Sequence, residues 1–152
     1  MDELYEMPGH LIRRAQQISA ALFAEECGEV GLTSVQYAAL LAVRANPGVD
    51  ATRLSSLIAF DRSTLGDVLE RLETKGWLVR RPGDRDRRIK TLHLTLSGER
   101  LLREVEPAVR RVQQRLLAPL AANDRPVLLH LLGEIADVHN EVTAAPLLRT
   151  AP

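Results

Sequence analysis

The feature that most constrains this fold is a single change in the spacing of its apolar residues. Along most of the chain they recur every three or four positions, but around residues 77–94 they alternate. The first spacing is typical of helices and the second of strands. The alternating part is interrupted by RRPGDRDRRIK, residues 80–90, which holds six basic and two acidic side chains around a Pro-Gly turn. The pattern predicts a mainly α protein with one strongly basic β-hairpin.

Four helices are predicted before the hairpin. The first has an apolar stripe of Leu11, Ala15, Ile18 and Leu22, and the second opens on a capping box of Thr33 and Gln36. The buried face of the second is predicted to be Tyr37, Leu40, Leu41 and Val43. The predicted bounds are 9–27 for the first helix, Thr33 to the Asn-Pro-Gly at 46–48 for the second, Asp50 to about Ala59 for the third, and Asp61 to about Lys75 for the fourth.

Two long helices are predicted after the hairpin. Thr95 can cap the first of them, and NDRP at residues 123–126 begins the second. The last helix carries apolar residues at alternating spacings of three and four, which is the period of a coiled-coil-like seam. These are Leu128, Leu131, Ile135, Val138 and Val142. The terminal stripes exceed what one small domain can cover, so a partner is expected.

Composition narrows the class of protein. A length of 152 residues is typical of one domain, and the 3% aromatic content requires an aliphatic core. The sequence has no signal-peptide pattern and no long apolar run, so a cytoplasmic protein without a membrane span is expected. The one cysteine, Cys27, excludes an internal disulfide. Net charge is zero, so any polyanion must bind to a local patch.

Two short helices followed by a basic hairpin is the order of a winged helix-turn-helix. A helix fits the major groove of DNA, where base edges are distinguishable. Arginines on a hairpin can enter the minor groove, where A·T tracts enhance the negative potential. A basic hairpin is also commonly just a solvated sheet edge, so a winged-helix interaction module that does not bind DNA remains an alternative.

The segment 57–102 closely resembles the winged-helix core of the MarR family of bacterial transcriptional regulators. The marks are DRST at the start of the fourth helix, RLETKGW at its end, and Asp86, Arg88 and LT at 94–95 in the hairpin. LTSVQYAALLAV and the flanking helices extend the resemblance over nearly the whole chain. It implies a winged domain over 33–95, a helical dimerisation region over 1–32 and 96–152, and a homodimer on a pseudo-palindromic operator.

The resemblance also implies which residues contact DNA. Ser63 and Thr64 match positions at the start of the recognition helix, and Arg85 and Arg87 match the tip of the wing. Asp86 matches a residue that braces Arg88. Many members have Thr-Arg where this chain has Gly-Asp at 66–67, so base readout is expected to differ. The candidate DNA contacts are Arg62, Ser63, Thr64, Asp67, Arg71, Arg85, Arg87 and Arg88.

The stretch PGHLIRRAQQISAALF, residues 8–23, resembles members that control aromatic-acid catabolism. This resemblance implies a repressor of a catabolic operon. The repressor would leave its DNA site when it binds an aromatic acid or the coenzyme A thioester of such an acid. His10, Arg13 and Arg14 are the candidate ligand contacts, because guanidinium groups suit carboxylates. The alternative is that the two arginines pair with acidic residues of a neighbouring helix or subunit.

Two other readings of the chain are weaker. Some relatives sense peroxide through a cysteine near the start of the first helix, whereas Cys27 lies near its end and has no basic sequence neighbour. The histidines lack metal-site spacing, and no catalytic motif or phosphate-binding loop occurs. We therefore expect no enzyme, no metal and no cofactor, and a thiol-based stress regulator remains an alternative.

Overall fold

A computed structural model describes residues 1–143 and 146–147. Its helices and strands follow the predicted order, with one short helix added at the start and one short strand before the third predicted helix. Brief 3-10 helices follow the second and the last α-helix, at Gly28–Val30 and Asn140–Val142. The elements are α1 (Asp2–Glu6), α2 (Pro8–Cys27), α3 (Ser34–Ala45), β1 (Val49–Asp50), α4 (Ala51–Ile58), α5 (Arg62–Thr74), β2 (Leu78–Pro82), β3 (Lys90–Leu94), α6 (Leu96–Leu117) and α7 (Asp124–Val138).

Side-chain caps fix where the middle helices begin. Thr33 and Gln36 form the predicted capping box at α3. The side chains of Asp50, Asp61 and Thr95 accept backbone N–H bonds at the starts of α4, α5 and α6. The predicted caps at Thr33 and Thr95 are confirmed, and Asp50 and Asp61 cap their helices at the predicted starts. These local signals explain why the helix starts were predictable.

The sheet has three strands, one more than the hairpin alone supplies. Its antiparallel order is β1-β3-β2, and β1 pairs Val49 with Leu92 and Asp50 with Thr91. A two-residue strand carries no alternation pattern, so its sequence does not predict it. The predicted Pro-Gly-Asp turn is also too short: Pro82 is still in β2, and the loop spans residues 83–89.

The core is aliphatic and is centred on the winged domain. Four apolar residues of α5 at helical spacing are buried, namely Leu65, Val68, Leu69 and Leu72. The predicted inner face of α3 was partly wrong, because Tyr37 and Leu41 are only half buried. Gln36 and Ala39 are buried beside Leu40 and Val43 instead, since Gln36 turns inward to complete the capping box.

The terminal helices leave much of their apolar surface uncovered within one chain. Leu11 on α2 is 53% exposed, and none of the α7 residues is buried. The predicted seam of α7 was too long, because the helix ends at Val138 and Val142 lies in the following 3-10 helix. Among the described residues, no helix combines the length and apolar character needed to cross a bilayer.

Ion pairs join the end of α2 to α6. The carboxylate of Glu26 accepts from Arg111 Nε at 2.8 Å and from Arg115 Nη1 at 2.9 Å. Arg115 Nη2 also donates to Glu25 at 2.7 Å. Hydrogen bonds from Arg111 and Arg115 hold the pKa of Glu26 below its usual value of 4.5. The negative charge of Glu26 therefore stabilises the packing of α2 on α6.

This cluster predicts acid sensitivity. Because the pKa of Glu26 is depressed in the folded state, its contribution is fully present above about pH 4.5 and is lost as pH falls through the folded-state pKa. Glu26→Gln should therefore unfold at a lower urea concentration than wild type at pH 7. Between pH 7 and pH 3, its unfolding midpoint should fall by less than that of the wild-type protein. Equal acid losses in both proteins would contradict this role for Glu26.

Candidate nucleic-acid interface

The outer face of α5 is polar and exposed, and it lies opposite the buried apolar residues of the same helix. Every third or fourth residue packs into the core, so the intervening positions face solvent. A Cβ added at Gly66 would meet nothing within 4 Å, so this face is also open. The exposed residues are Arg62, Ser63, Thr64, Gly66, Asp67, Glu70 and Arg71.

The side chain of Asp61 organises the start of α5. One oxygen, Oδ2, accepts from the backbone N–H and the hydroxyl of Thr64, each at 3.2 Å, and from the hydroxyl of Ser63. The Ser63 hydroxyl and the Thr64 N–H hold the pKa of Asp61 below its usual value. The carboxylate is therefore ionised near neutral pH, and it fixes both hydroxyls at the predicted DNA-contacting positions.

The wing loop is closed by backbone bonds and braced by one ion pair. Gly83 N donates to Ile89 O at 2.8 Å, and Ile89 N donates to Asp86 O at 3.1 Å. Asp86 accepts from the backbone N of Arg88 at 2.9 Å and from its guanidinium at 3.1 and 3.0 Å. These bonds with Arg88 lower the pKa of Asp86. The Arg88 side chain nonetheless remains 91% exposed, so the pair orders the loop without burying charge.

The other arginines of the basic stretch divide into two kinds. Arg80 Nε contacts Glu73 at 2.9 Å and so ties β2 to the end of α5. Arg85 and Arg87 are exposed, and neither has a hydrogen bond or ion pair with any residue that the structure describes. Two guanidinium groups are thus held on an ordered loop with their donors available to a ligand.

The start of α5 and the base of the wing share one cleft. It has a volume of about 420 Å³ and is lined by Arg62 of α5, Arg88 to Lys90 of the wing and the first residues of α4. The fold therefore places the recognition-helix start and the wing on one side of the molecule. Asp67 and Arg71 lie instead on a second open cleft, of about 750 Å³, which extends toward Gly31 and Thr33.

A contact that the sequence did not predict links the end of α5 to the start of the winged domain. Lys75 Nζ donates to the carbonyl oxygen of Gly31 and lies 4.6 Å from the centre of the Trp77 ring. Gly31 adopts a left-handed conformation with φ of 64°, just before α3. The two residues are 44 positions apart, and no local pattern signals such a contact.

The predicted ligand contacts lie near the start of α2. Arg13 Nη2 is 3.4 Å from His10 Nδ1, and the ring of Tyr5 lies edge-on to His10 with centroids 5.8 Å apart. Arg13 and Arg14 are exposed, and neither forms an ion pair with an acidic residue in the described part of this chain. The structure brings His10 and Arg13 together, next to the uncovered apolar stripe of α2.

The environment of Cys27 is not one that makes a thiol reactive. It is 2% exposed and belongs to the hydrophobic core. Burial raises the pKa of the thiol, and the adjacent Glu26 raises it further. Both effects oppose formation of the thiolate, which is the reactive species.

The helix pair α4–α5, followed by a basic hairpin on the same side, defines a winged helix-turn-helix DNA-binding protein. A family model described as "MarR family" matches residues 30–89. The chain is also 31% identical to the HTH-type transcriptional repressor NicR of Pseudomonas putida, over 89% of this chain and 85% of NicR. The chain therefore belongs to the MarR family of transcriptional regulators.

Two solved structures with this fold are described together with a ligand or effector. The PcaV regulator of Streptomyces coelicolor, in complex with its natural ligand, is 38% identical with a TM-score of 0.82, covering 88% of this chain and 94% of PcaV. BpsR of Bordetella bronchiseptica, described by the regulation of its DNA binding by 6-hydroxynicotinic acid, is 30% identical with a TM-score of 0.82, covering 87% and 94%.

Proposed function

We propose that this protein is a homodimeric repressor of an aromatic-compound catabolic operon, which binds a pseudo-palindromic operator and leaves it when an aromatic acid or its coenzyme A thioester binds. The observation that carries the proposal is the combined face of α5 and the wing. There, Arg62 of α5 and Arg88 to Lys90 at the base of the wing line one cleft, and the loop of the same wing carries unpaired Arg85 and Arg87. Major-groove contact by α5 and minor-groove contact by the wing follow from that arrangement.

The dimer is proposed from the uncovered apolar stripes. Leu11 and Ile18 on α2 and Leu131 and Ile135 on α7 are each about half exposed in one chain. Covering them requires another surface of the same character. A second copy provides it, with residues 1–32 and 96–152 as the dimerisation region and 33–95 as the DNA-binding domain. Residues 144–145 and 148–152 of that region lie outside those the structure describes.

The effector class is proposed from relatives and from the start of α2. BpsR responds to 6-hydroxynicotinic acid, a heteroaromatic acid. Here Arg13, His10 and Tyr5 are contiguous, so a carboxylate and an aromatic ring would each find a partner. Ligand binding between the dimerisation region and the winged domain would change the separation of the two recognition helices and thereby the affinity for DNA.

A salt titration tests the DNA-binding part of the proposal. Gel shifts with the protein's own promoter region should give log K falling linearly with log salt, with about 0.9 in slope for each phosphate contacted. An unrelated duplex should bind much more weakly at the same salt concentration. Absence of salt-dependent binding to either duplex would favour the interaction module.

The effector prediction concerns the three residues at the start of α2. A thermal-shift screen of aromatic acids and their thioesters should identify a stabilising compound. Arg13→Gln or Arg14→Gln should then weaken binding of that compound about tenfold or more, since hydrogen bonds to charged groups contribute about 1.5–3 kcal/mol. Wild-type affinity in both variants and in His10→Ala would contradict the assignment.

The matched controls separate ligand binding from thiol sensing. Arg103→Ala removes an exposed arginine of α6 and should leave ligand affinity unchanged. Cys27→Ser should keep the ligand-induced release of DNA, because the thiol is buried with a raised pKa. The stress-regulator alternative would be supported if Cys27→Ser no longer released DNA and if peroxide released DNA from the wild-type protein.

A further inference from the structure

We propose that Asp61 sets the base specificity of α5 by holding the hydroxyl hydrogens of Ser63 and Thr64, so that both hydroxyls present only acceptor lone pairs to DNA. Asp61 is then a positioning residue, and the groups it selects are the exocyclic amino groups of cytosine and adenine. This inference rests on the DNA-binding function proposed above.

The argument begins with the number of hydrogens available. A serine or threonine hydroxyl has one hydrogen and two acceptor lone pairs, whereas an ionised carboxylate can only accept. Both the Ser63 and the Thr64 hydroxyl contact Asp61 Oδ2. The single hydrogen of each must therefore lie in its bond to Asp61. What each hydroxyl can still offer to another molecule is its lone pairs.

Asp67 extends the same polarity along the helix. It lies three residues after Thr64 and four after Ser63, which places it on the same face. It is exposed and has no hydrogen bond or ion pair with the residues that the structure describes. The intervening Gly66 adds no side chain. The reading face of α5 thus combines two oriented hydroxyls and a carboxylate, all of them acceptors.

Three acceptors at these positions select among base pairs and disfavour phosphates. In the major groove, cytosine N4 and adenine N6 are donors, whereas guanine N7 and O6 and thymine O4 are acceptors. Phosphate oxygens also accept, so hydroxyls whose hydrogens point to Asp61 have nothing to donate to them. Cytosine and adenine, which present an amino group in the major groove, should therefore be preferred where Ser63, Thr64 and Asp67 meet it.

The test is Asp61→Gly, a cap-preserving change in that glycine is among the residues preferred at helix N-caps. The Thr64 N–H and the hydroxyls of Ser63 and Thr64 all bond one carboxylate oxygen, which this change removes. The hydroxyl hydrogens are then free to point at DNA. Wild type and variant are each used to select duplexes from a randomised library. We expect cytosine or adenine to be replaced by guanine or thymine in at least one position, with a change in preference of about fivefold or more.

The controls distinguish base reading from charge and folding. Asp61→Gly also removes a negative charge, which should raise affinity equally for all sequences, so the measured quantity is the preference at each position. In the background Ser63→Ala/Thr64→Val, adding Asp61→Gly should leave preferences unchanged. Asp61→Ser, a second cap-preserving change, should alter wild-type preferences in the same positions even if Asp61→Gly unfolds at a lower temperature.

Each outcome addresses one hypothesis. Selection of identical sequences by wild type and both cap-preserving variants would overturn the role of Asp61 and leave DNA binding intact. A change in preference that persists without the two hydroxyls would also overturn it. A wild-type protein that binds no duplex at low salt would overturn the proposed function itself.

Discussion

Replacing Arg85 and Arg87 together with alanine should reduce operator affinity at least tenfold near physiological salt. Both guanidinium groups are exposed on a loop that the Asp86–Arg88 bonds and the Gly83–Ile89 bond already order. Because neither arginine has a partner within the described chain, truncation leaves no buried group unpaired and should not alter folding. The whole loss should therefore appear in DNA binding.

The salt dependence identifies the kind of contact that is lost. Each arginine that lies on a phosphate contributes about 0.9 to the slope of log K against log salt, so the four side chains of a dimer contribute up to about 3.6. The double variant should give a correspondingly shallower slope in gel shifts at several salt concentrations. If instead the wing reads the minor groove, A·T-rich flanks should lose more affinity than G·C-rich flanks.

Arg103→Ala is the matched control for charge and exposure. Arg103 is an exposed arginine of α6, outside both α5 and the wing. Its loss should leave the affinity and the salt slope close to those of wild type. Unchanged affinity of the Arg85→Ala/Arg87→Ala variant at every salt concentration would show that the wing does not contact DNA.

The parts of the fold that were predictable are those with local signals. Thr33 and Thr95 were predicted as caps, and Asp50 and Asp61, which also cap their helices, were predicted as helix starts; each bonds a backbone N–H three residues later. The change to alternating spacing located β2 and β3. By contrast, β1 has only two residues and depends on pairing Val49 with Leu92 and Asp50 with Thr91, so its own sequence cannot specify it.

The candidate site shows the same division. Exposure of the polar face of α5 follows from helical spacing, and the Asp86–Arg88 pair is a contact between residues two positions apart. The attachment of Lys75 to Gly31 and of Arg80 to Glu73 depends on tertiary packing that no local pattern encodes. The orientation of the Ser63 and Thr64 hydroxyls toward Asp61 is likewise set by side-chain geometry, which the position of a helix start does not specify.

Gly98→Ala should be the most destabilising glycine-to-alanine change among the described residues. An added Cβ would lie 2.1 Å from the carbonyl oxygen of Trp77, which is backbone and has little room to move. The same carbonyl accepts from Thr95 N at 3.1 Å, and Thr95 Oγ1 donates to Gly76 O at 2.6 Å. Displacing the start of α6 would weaken both bonds as well as cause a steric clash.

The expected loss is about 3 kcal/mol or more in the free energy of unfolding. Overpacking typically costs about 1–3 kcal/mol, and each weakened hydrogen bond adds about 1 kcal/mol. For a chain of this length that corresponds to a fall in Tm of about 6–12 °C. Because α6 starts directly after β3, the displacement should also move the wing relative to α5 and reduce DNA affinity.

Gly66→Ala is the control, since both glycines lie inside helices and only one is crowded. A Cβ at Gly66 meets nothing within 4 Å, so alanine should stabilise α5 by about 0.5–1 kcal/mol through the conformational freedom lost from the unfolded chain. Urea unfolding of both variants gives the comparison. If Gly98→Ala unfolds at the same urea concentration as wild type, the close approach of α6 to Trp77 does not limit this fold. If it unfolds early while Gly66→Ala unfolds late, the close approach of the start of α6 to the Trp77 carbonyl limits the stability of this fold.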